Sequence, residues 1–363
     1  MKPLHADISR YAIPCTGPVT VRGVVLDKRE GLVLSLKSKG ATAYGEIAPL
    51  PGLHDESLDE AETALAAFLP KLAWLDRNTT EKRRRVLDGA ELPPSVMTGL
   101  EMVLINLEAA ETGSLPSFPG TFPPTRRVPV NALLAGDAAT VNSRAESKFA
   151  QGFRVFKLKV RADRIDEAIS CIRAFHNAFG SRAELRLDAN QSLGLDQAVA
   201  FGKALPPGSI SYIEEPLLDA SLIAEFHART GILSALDESL WQQPELLNQL
   251  PPASLGALIL KPNRIGGIMK SLELAAVAYR MEIPAVLSSA FESGISLGFY
   301  ALMAAVTSPA PAACGLDTAS DLAHDLLDIP FGSPEGFADP VDAWKNSFSI
   351  RMERLEPVGS WTL

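Results

Sequence analysis

The chain has 363 residues, 47% of them hydrophobic and 21% charged, which is enough for one large domain and a smaller second one. Its net charge of −9 argues against the basic surface that general nucleic-acid binding or anionic-membrane binding requires. The three cysteines lack the spacing of a disulfide framework or a zinc site, and neither a leader peptide nor a membrane span is recognisable. We therefore expect a cytoplasmic enzyme or carrier with no nucleic-acid or membrane partner.

The first 125 residues have the pattern of a compact α+β domain. Predicted strands are followed by two amphipathic helices, and these segments lie at residues 5–14, 31–37, 42–48, 56–69 and 95–111. Between the two helices, the charged run 81–85 is interpreted as a solvated helix face. Residues 114–127 are rich in Pro, Gly, Ser and Thr and are predicted to link this domain to the next.

Beyond the linker, short apolar strands alternate with amphipathic helices, which is the pattern of a parallel sheet covered by helices. The eight predicted strands lie at residues 128–134, 155–160, 184–190, 211–216, 233–238, 257–263, 284–291 and 312–318. They favour an α/β fold of the (β/α)8-type barrel class over an open doubly wound sheet, because no Gly-x-Gly-x-x-Gly sequence follows any strand. We place the barrel domain at residues 126–321 and expect residues 322–363 to pack back on the first domain.

Charged residues occur at the ends of consecutive barrel strands. Lys157 and Lys159 share one face of their strand because successive side chains of a strand alternate. Alone, this pair also fits a strand at a wet sheet edge. The next strands end in carboxylates, however, and barrel active sites are built at the carboxyl ends of the strands. Charges in apolar strands are costly to bury unless they are paired or ligated.

Three of these carboxylates predict a metal site. Asp188, Glu214 and Asp237 end three successive strands and offer oxygen donors without His or Cys, a set that suits Mg²⁺, with Mn²⁺ as an alternative. A single Asp in such a place is more often a helix cap or a turn residue. Glu215 and Glu238 are adjacent alternative ligands whose side chains should point the other way.

The lysines predict proton abstraction beside that metal. A divalent ion bound to a substrate carboxylate stabilises the enediolate that forms when a base removes the neighbouring carbon's proton. We expect Lys159 to be that base, which requires a neutral amine. Neighbouring cations lower a lysine pKa, and Lys157, Lys261 and the metal are the expected neighbours.

This set of residues resembles the enolase superfamily in its muconate-lactonizing subgroup, whose lysine or histidine bases act with Mg²⁺. Within that subgroup the chain is most similar to the o-succinylbenzoate synthase family. The first-domain segments 45–52 and 55–60 are similar to a loop that covers the substrate, and segments 186–190, 237–240 and 288–293 are similar to the family's barrel motifs.

The resemblance implies a capping N-terminal domain, completed by the C-terminal segment, above the barrel. It also implies a small carboxylate substrate and a Mg²⁺-dependent dehydration that forms o-succinylbenzoate from 2-succinyl-6-hydroxy-2,4-cyclohexadiene-1-carboxylate in menaquinone biosynthesis. Lys159 would remove the proton and help the hydroxyl leave, while Lys261 would face the ring as a cation.

Weaker roles follow for other matched positions. Substrate-binding candidates are Arg186, Asn190, Ser288, Ser289 and Leu53. Arg186 has a structural ion pair as its alternative, and the two serines would bind a carboxylate with their hydroxyls and backbone amides. In the covering segment, His54 is either a substrate contact or a surface residue. Glu292 is interpreted as a helix-start or supporting residue.

Other functions use the same residues. A racemase of N-acylamino acids or an epimerase of dipeptides would employ Lys159 and Lys261 as bases on opposite faces of the substrate. Dipeptide epimerases of this subgroup typically carry Asp-x-Asp after the eighth strand, whereas segment 315–318 contains only Asp317. Muconate cycloisomerisation and a non-catalytic barrel that binds a metal-chelated acid are further alternatives, and homo-oligomer formation is left open.

Overall fold

The computed structural model describes residues 4–72, 87 and 89–363, and its strands form two main sheets. The strands are β1 His5–Val21, β2 Val24–Ser38, β3 Ala41–Ile47, β4 Val128–Pro129, β5 Ala132–Leu134, β6 Val155–Lys159, β7 Glu184–Asp188, β8 Ile213–Glu214, β9 Ser234–Leu236, β10 Leu255–Leu260, β11 Ala285–Leu287, β12 Phe337–Ala338 and β13 Glu356–Thr362. The α-helices are α1 Leu58–Leu72, α2 Pro94–Thr112, α3 Ala138–Ala150, α4 Ile165–Phe179, α5 Leu195–Ala204, α6 Ile223–Thr230, α7 Ser239–Gln242, α8 Pro262–Ile265, α9 Ile268–Arg280, α10 Gly294–Thr307 and α11 Pro340–Asn346.

The capping domain, which we define as β1–β3, β13, α1 and α2, is an antiparallel sheet in the order β13-β1-β2-β3 with two helices on it. Leu34 and Leu36 of the sheet and Leu100 and Val103 of α2 are buried in one apolar cluster. Before α1, Ser57 and Glu60 form a capping box, in which each backbone N–H donates to the other residue's side chain. The predicted α+β unit is therefore present. The charged run 81–85 lies outside the described residues.

One hairpin of the capping domain is longer than predicted. Strands β1 and β2 continue through residues 15–30 and turn at Arg22 and Gly23, whose φ angles are +46° and +85°. A two-residue turn between β-branched residues is typical of a hairpin, but the charged run 27–30 falls between the strands predicted at residues 5–14 and 31–37. In that run Arg29 is buried and its neighbours Lys28 and Glu30 are exposed, as alternation along a strand requires.

The second sheet curls into the predicted barrel. Strands β5 to β11 lie side by side in chain order, and each neighbouring pair is parallel. The eighth position is occupied by two single bridges, from Cys314 to Val130 and from Gly315 to Ser288, which close the cylinder. The strand predicted at residues 312–318 is thus much shorter than expected. Pro311 precedes it and has no N–H to donate to a ladder.

Strands β6 to β11 also end earlier than predicted, by one to four residues. Strand β9 ends at Leu236 and β10 at Leu260, so Asp237 and Lys261 are the first residues beyond them. Pro262 then starts the short helix α8, where a missing N–H costs nothing because the first helical N–H has no intrahelical acceptor. Both charged side chains consequently stand at the rim of the barrel, and we call this end, at the carboxyl termini of the strands, the barrel mouth.

The C-terminal segment contacts both parts of the chain. Strand β12 pairs with β4 beneath the barrel, helix α11 packs on α10, and β13 pairs antiparallel with β1 of the capping sheet. The domain limits at residues 125 and 321 stay predictions. Among the described residues, no helix has the length and apolar character that crossing a membrane requires.

Two capping-domain carboxylates hold the starts of two barrel helices. Glu101 of α2 accepts from the backbone N–H groups of Ile268 and Met269 at the start of α9. Glu46 of β3 accepts from the N–H groups of Ser293 and Ser296 at the start of α10, at 2.9 and 3.1 Å. A helix start presents unpaired N–H groups and partial positive charge, so a carboxylate stabilises it. These contacts join the capping domain to the barrel.

Candidate active site

The predicted catalytic lysines lie on opposite sides of the barrel mouth. Lys159 ends β6, which is the second of the eight strand positions, and Lys261 follows β10, which is the sixth. Four positions separate them, half the circumference of the barrel. Asp188, Glu214 and Asp237 follow in order on the three strands between them.

Ion pairs connect the lysines to these carboxylates. Lys157 Nζ lies 2.9 Å from Asp188 Oδ2 and 2.7 Å from Glu214 Oε1. Lys159 Nζ lies 2.6 Å from the same Asp188 oxygen, and Lys261 Nζ contacts Asp237 Oδ2. The Lys159 side chain is 38% exposed, compared with 13% for Lys157 and 11% for Lys261. Lys159 is therefore the most accessible of the three lysines.

Burial and mutual repulsion raise the pKa of two of these carboxyls. For Glu214, burial and the charge of Asp188 raise the pKa well above its usual value. Burial likewise raises the pKa of Asp237 to about 6, despite the neighbouring Lys261. Burial opposes ionisation of Asp188 too, but Lys157 and Lys159 outweigh it and lower the pKa of that carboxyl. Asp188 thus has the best compensated charge of the three.

Two lysines are held as cations. Burial alone would lower the pKa of Lys157, but Asp188 and Glu214 outweigh burial and raise this pKa well above its usual value. The pKa of Lys261 is raised in the same way, since Asp237 and Glu238 outweigh the effect of its burial. Each ammonium therefore contributes a fixed positive charge to the barrel mouth.

The donor set suits a hard cation. Asp237 Oδ1 and Glu238 Oε2 are buried oxygens without a hydrogen-bond partner among the described residues, which is costly unless a ligand completes them. As the side chains lie, no group of three His, Cys, Asp or Glu residues in the described part of the chain is arranged to hold a metal. Asp188 and Glu214 are instead bridged by the Lys157 ammonium. The donor set fits Mg²⁺ in chemistry, because carboxylate oxygens are the ligands that a hard divalent cation prefers.

Glu215 points away from the proposed ligands, as predicted, whereas Glu238, for which the same was predicted, contacts Asn190 and Arg22 at the barrel mouth. Its carboxylate accepts from the backbone N–H groups of Asp237 and Ser239, at 2.7 and 2.8 Å, and from the Ser239 hydroxyl at 2.8 Å. Burial raises the pKa of Glu215 to about 7. Glu215 therefore fixes the backbone that presents Asp237.

Asn190 links the two sides of the site. Its Oδ1 accepts from Lys159 Nζ at 2.9 Å, and its Nδ2 donates to Glu238 Oε1 at 3.1 Å. The same Glu238 oxygen lies 3.1 Å from Nη2 of Arg22, at the tip of the β1–β2 hairpin. Arg22 was not predicted as a site residue, and the signal that could have found it is the Arg-Gly turn described above.

Strained backbone occurs after three barrel strands. Left-handed φ angles occur at eight described residues other than glycine, including Arg22, Lys39, Glu282 and Glu335. The other four are Asn190, Gln191, Glu215 and Phe291, at +43°, +58°, +42° and +60°. These residues follow β7, β8 and β11 closely. Such conformations cost energy and persist where surrounding contacts fix them, often at functional sites.

The covering loop, which we define as residues 48–55, lies over one side of the mouth. Leu50 and Leu53 are buried against Ala290, with the partly buried Trp241 beside them. Lys261 Nζ lies 5.9 Å from the centre of the Trp241 ring. Leu53 was predicted to contact substrate, whereas Trp241 was not singled out, because an aromatic residue in a short helix has no distinctive pattern.

A buried arginine holds this loop in place. Arg29 of β2 donates to the carbonyl oxygens of Ala48 and Pro49 in the loop and, at 3.2 Å, to that of Phe291 at the barrel mouth. Only 2% of the Arg29 surface is exposed. A buried guanidinium with several acceptors orients the groups around it, so Arg29 sets where the loop meets the barrel.

Arg186 lies within the barrel, away from the three proposed ligands. Its Nε donates to Glu184 Oε1 and its Nη1 to the carbonyl oxygen of Ala313, both at 2.7 Å. The side chain is 7% exposed. These contacts favour the structural ion pair that was the alternative interpretation.

The backbone amides of Ser288 and Ser289 do not face the site. They donate to the carbonyl oxygens of Leu260 and Gly315 at 2.9 and 3.0 Å, within the barrel sheet. The prediction that these amides bind a carboxylate is therefore wrong, because sheet formation already uses them. The Ser289 hydroxyl lies 2.7 Å from that of Thr318.

Asp317, beyond the eighth strand position, is paired. Its Oδ1 accepts from Lys148 Nζ of α3 at 2.8 Å, and both side chains are largely buried. The pKa of Asp317 is nevertheless raised, because burial outweighs Lys148. A second ammonium group, brought by a substrate, would compete with Lys148 for this carboxylate.

Comparisons with known proteins agree with this arrangement. Residues 140–343 match the family model for the enolase C-terminal domain-like fold, and residues 4–107 match that of the MenC N-terminal domain. The o-succinylbenzoate synthase of Aliivibrio salmonicida is 30% identical, over 90% of this chain and 93% of the relative. The synthase of Haemophilus influenzae is 29% identical, over 88% and 92%.

A solved structure shows the same fold. The dipeptide epimerase from Methylococcus capsulatus, in complex with Mg and the dipeptide L-Arg-D-Lys, superposes with a TM-score of 0.78. It is 24% identical and covers 93% of this chain and 97% of the epimerase. The chain therefore belongs to the enolase superfamily, and its resemblance to the o-succinylbenzoate synthases of that superfamily is confirmed.

Proposed function

We propose that the chain is a Mg²⁺-dependent carbon–oxygen lyase that forms o-succinylbenzoate from 2-succinyl-6-hydroxy-2,4-cyclohexadiene-1-carboxylate in menaquinone biosynthesis. The observation that carries the proposal is the placement of Lys159 and Lys261 across the barrel mouth, with three carboxylates on the strands between them. A flat substrate between the lysines would present one face to each. The named functions of the sequence relatives support the synthase among reactions that such a site can perform.

We assign Asp188, Glu214 and Asp237 as the metal ligands. The solved epimerase that shares the fold contains Mg, which supports this metal over others. When bound, Mg²⁺ supplies positive charge to the substrate carboxylate and so favours removal of the adjacent proton. The unpartnered Asp237 Oδ1 supports this assignment, because a cation would complete its coordination.

We assign Lys159 as the base. In its neutral form it takes the proton from the ring carbon that carries the carboxylate, and the electron pair of that C–H bond passes into the enediolate. Return of these electrons forms the new ring double bond and breaks the C–O bond of the hydroxyl. The hydroxyl leaves as water with the proton from Lys159, so the lysine is neutral again and the ring is aromatic.

Lys157 and Lys261 act as cations in this scheme. Their raised pKa values keep both protonated, and Lys261 faces the substrate from the side opposite to Lys159. Lys157 lies next to the base on the same strand face, and both ammonium groups contact Asp188 Oδ2. Asn190 accepts from Lys159 and so orients its amine.

An N-acylamino acid racemase is the second candidate, because opposed lysines also serve removal and return of a proton on opposite faces. For a dipeptide epimerase, the ion pair between Asp317 and Lys148 is unfavourable, since this carboxylate is already neutralised by the chain's own cation. The non-catalytic alternative is disfavoured by the presence of all three lysines and all three ligand carboxylates.

Incubation of the purified protein with Mg²⁺ and the cyclohexadiene substrate tests the proposal. We expect loss of the ultraviolet band of the diene as o-succinylbenzoate forms. Absence of turnover, together with exchange of the α-proton of N-succinyl amino acids in D₂O, would establish the racemase instead.

A further inference from the structure

His54 connects the covering loop to the backbone that follows Lys261. Its Nδ1 accepts from the N–H of Leu50 at 2.9 Å, and its Nε2 lies 2.9 Å from the carbonyl oxygen of Asn263. A backbone N–H can only donate and a carbonyl can only accept, so Nδ1 carries no proton and Nε2 carries one. His54 is therefore a neutral imidazole with both nitrogens engaged.

This arrangement removes the roles first considered for His54. With both ring nitrogens bonded to backbone groups, neither is free to bind substrate or to transfer a proton. Burial lowers the pKa of His54 to about 4, in agreement with a neutral ring. The residue is half-buried rather than exposed, and its ring contacts a backbone group 209 positions away in the chain.

Two more hydrogen bonds join the segment after Lys261 to the capping domain and the covering loop. The Thr98 hydroxyl of α2 donates to the carbonyl oxygen of Pro262 at 2.8 Å, and Asn263 Nδ2 donates to the carbonyl oxygen of Ala48 at 2.7 Å. Pro262 and Asn263 are the two residues directly after Lys261. The carbonyl oxygen of Lys261 itself accepts from the N–H groups of Arg264 and Ile265.

We propose that His54 is a positioning residue that, together with Thr98, holds the backbone after Lys261 against the capping domain and so places the Lys261 ammonium. The inference rests on the proposed role of Lys261 at the substrate ring. It assigns to the covering loop a second function besides covering: the loop also fixes the position of Lys261, the lysine opposite the base. Displacement of a catalytic group by about 1 Å can cost roughly 10²-fold in rate.

Two substitutions of His54 distinguish the contributions of its two ring hydrogen bonds. In His54→Gln the amide nitrogen reaches the Nε2 position and can still donate to Asn263. In His54→Asn the amide oxygen takes the Nδ1 position and can still accept from Leu50, but the bond to Asn263 is lost. His227→Asn is the matched control, because this half-buried histidine contacts Ile232, within its own helix-end region.

We expect His54→Asn to lower kcat of the synthase reaction about 10- to 100-fold with KM changed less than about threefold, whereas His54→Gln and the control stay near wild type. A rise in KM alone would show that His54 acts on substrate binding, and an unchanged kcat in His54→Asn would equally overturn the proposal.

Hydrogen exchange gives a readout that does not depend on activity. The amides of Arg264 and Ile265 should exchange faster in His54→Asn than in His54→Gln, because they bond to the Lys261 carbonyl. If wild type lacks synthase activity, the proposed function fails, but the exchange comparison still tests whether His54 holds the backbone after Lys261. If His54→Asn does not fold, Thr98→Val removes the parallel bond and should raise the same exchange; unchanged exchange would contradict the proposal.

Discussion

Arg22 Nη2 lies 3.1 Å from Glu238 Oε1, so the tip of the β1–β2 hairpin reaches a carboxylate of the barrel mouth. The Arg22 side chain is 35% exposed, whereas that of Glu238 is 1% exposed. Within the part of the chain that the structure describes, the other Glu238 oxygen has no hydrogen-bond partner. Loss of the guanidinium therefore leaves a buried carboxylate less compensated, which costs more than loss of an ion pair at the surface.

We predict that Arg22 and Glu238 are energetically coupled. Urea unfolding of wild type, Arg22→Ala, Glu238→Gln and the double variant should give a coupling free energy of about 1–3 kcal/mol. The exposed pair of Lys28 and Glu30 provides the control and should give less than about 1 kcal/mol. Equal coupling free energies in the two pairs would mean that burial of Glu238 does not strengthen its ion pair with Arg22.

Lys159→Ala should abolish synthase turnover. General acid–base catalysis contributes about 10²–10⁴-fold, and Lys159 is assigned to both proton transfers, so the loss should reach at least this range. Turnover is followed by the diene absorbance at saturating substrate, with the exposed Lys203→Ala as control. A variant at Lys159 that retains turnover would refute the assignment of the base.

Mg²⁺ should stabilise the folded protein through Asp237. A ligand that binds only the folded state at 100 times its Kd adds about 2.7 kcal/mol to the free energy of unfolding. We expect Tm to rise on titration with Mg²⁺ and to fall again with a chelator. Asp237→Asn should lose most of this rise, while Asp27→Asn, at an exposed position, should keep it. An equal rise in both variants would exclude Asp237 as a ligand.

Glu292 should make stability fall between about pH 4.5 and pH 7. Burial raises its pKa from 4.5 to about 7, so the folded state binds a proton that the unfolded state releases. The stabilisation is present below pH 4.5 and is lost as the pH rises through 7, with a total of roughly 3 kcal/mol.

Glu292→Gln removes this titration. Its free energy of unfolding should equal that of wild type near pH 5 within about 1 kcal/mol and exceed it near pH 8, as urea unfolding can measure. Glu245→Gln changes an exposed carboxyl and serves as the control. A constant difference between Glu292→Gln and wild type at both pH values would contradict a raised pKa.

The parts of the site that the sequence predicts are those with a local pattern. The Lys157 and Lys159 pair, the carboxylates at strand ends and Lys261 all stand at the end of apolar runs, and strand order alone brings them together. The antiparallel sheet and the barrel follow from the change between strand and helix periodicity. These features depend on neighbours in sequence.

The remainder depends on contacts between distant segments. The site contacts of Arg22, Arg29 and Trp241 form only where the capping domain packs against the barrel. No residue spacing in the sequence predicts this packing. The amides of Ser288 and Ser289 could not be assigned either, since their availability depends on how far the sheet extends. Strand ends are set by such long-range pairing.

The helix contacts of Glu46 and Glu101 restrict how this chain can be recombined with its relatives. Consider a chimaera with the barrel of one parent and the capping domain of another. The barrel parent supplies the starts of α9 and α10, and the capping-domain parent supplies the carboxylates that bind them. A parent that lacks either carboxylate leaves α9 or α10 without its acceptor, at about 0.5–2 kcal/mol for each helix. Domain exchange between relatives should therefore succeed when the chimaera keeps Glu46 and Glu101 together with the barrel helices that they cap.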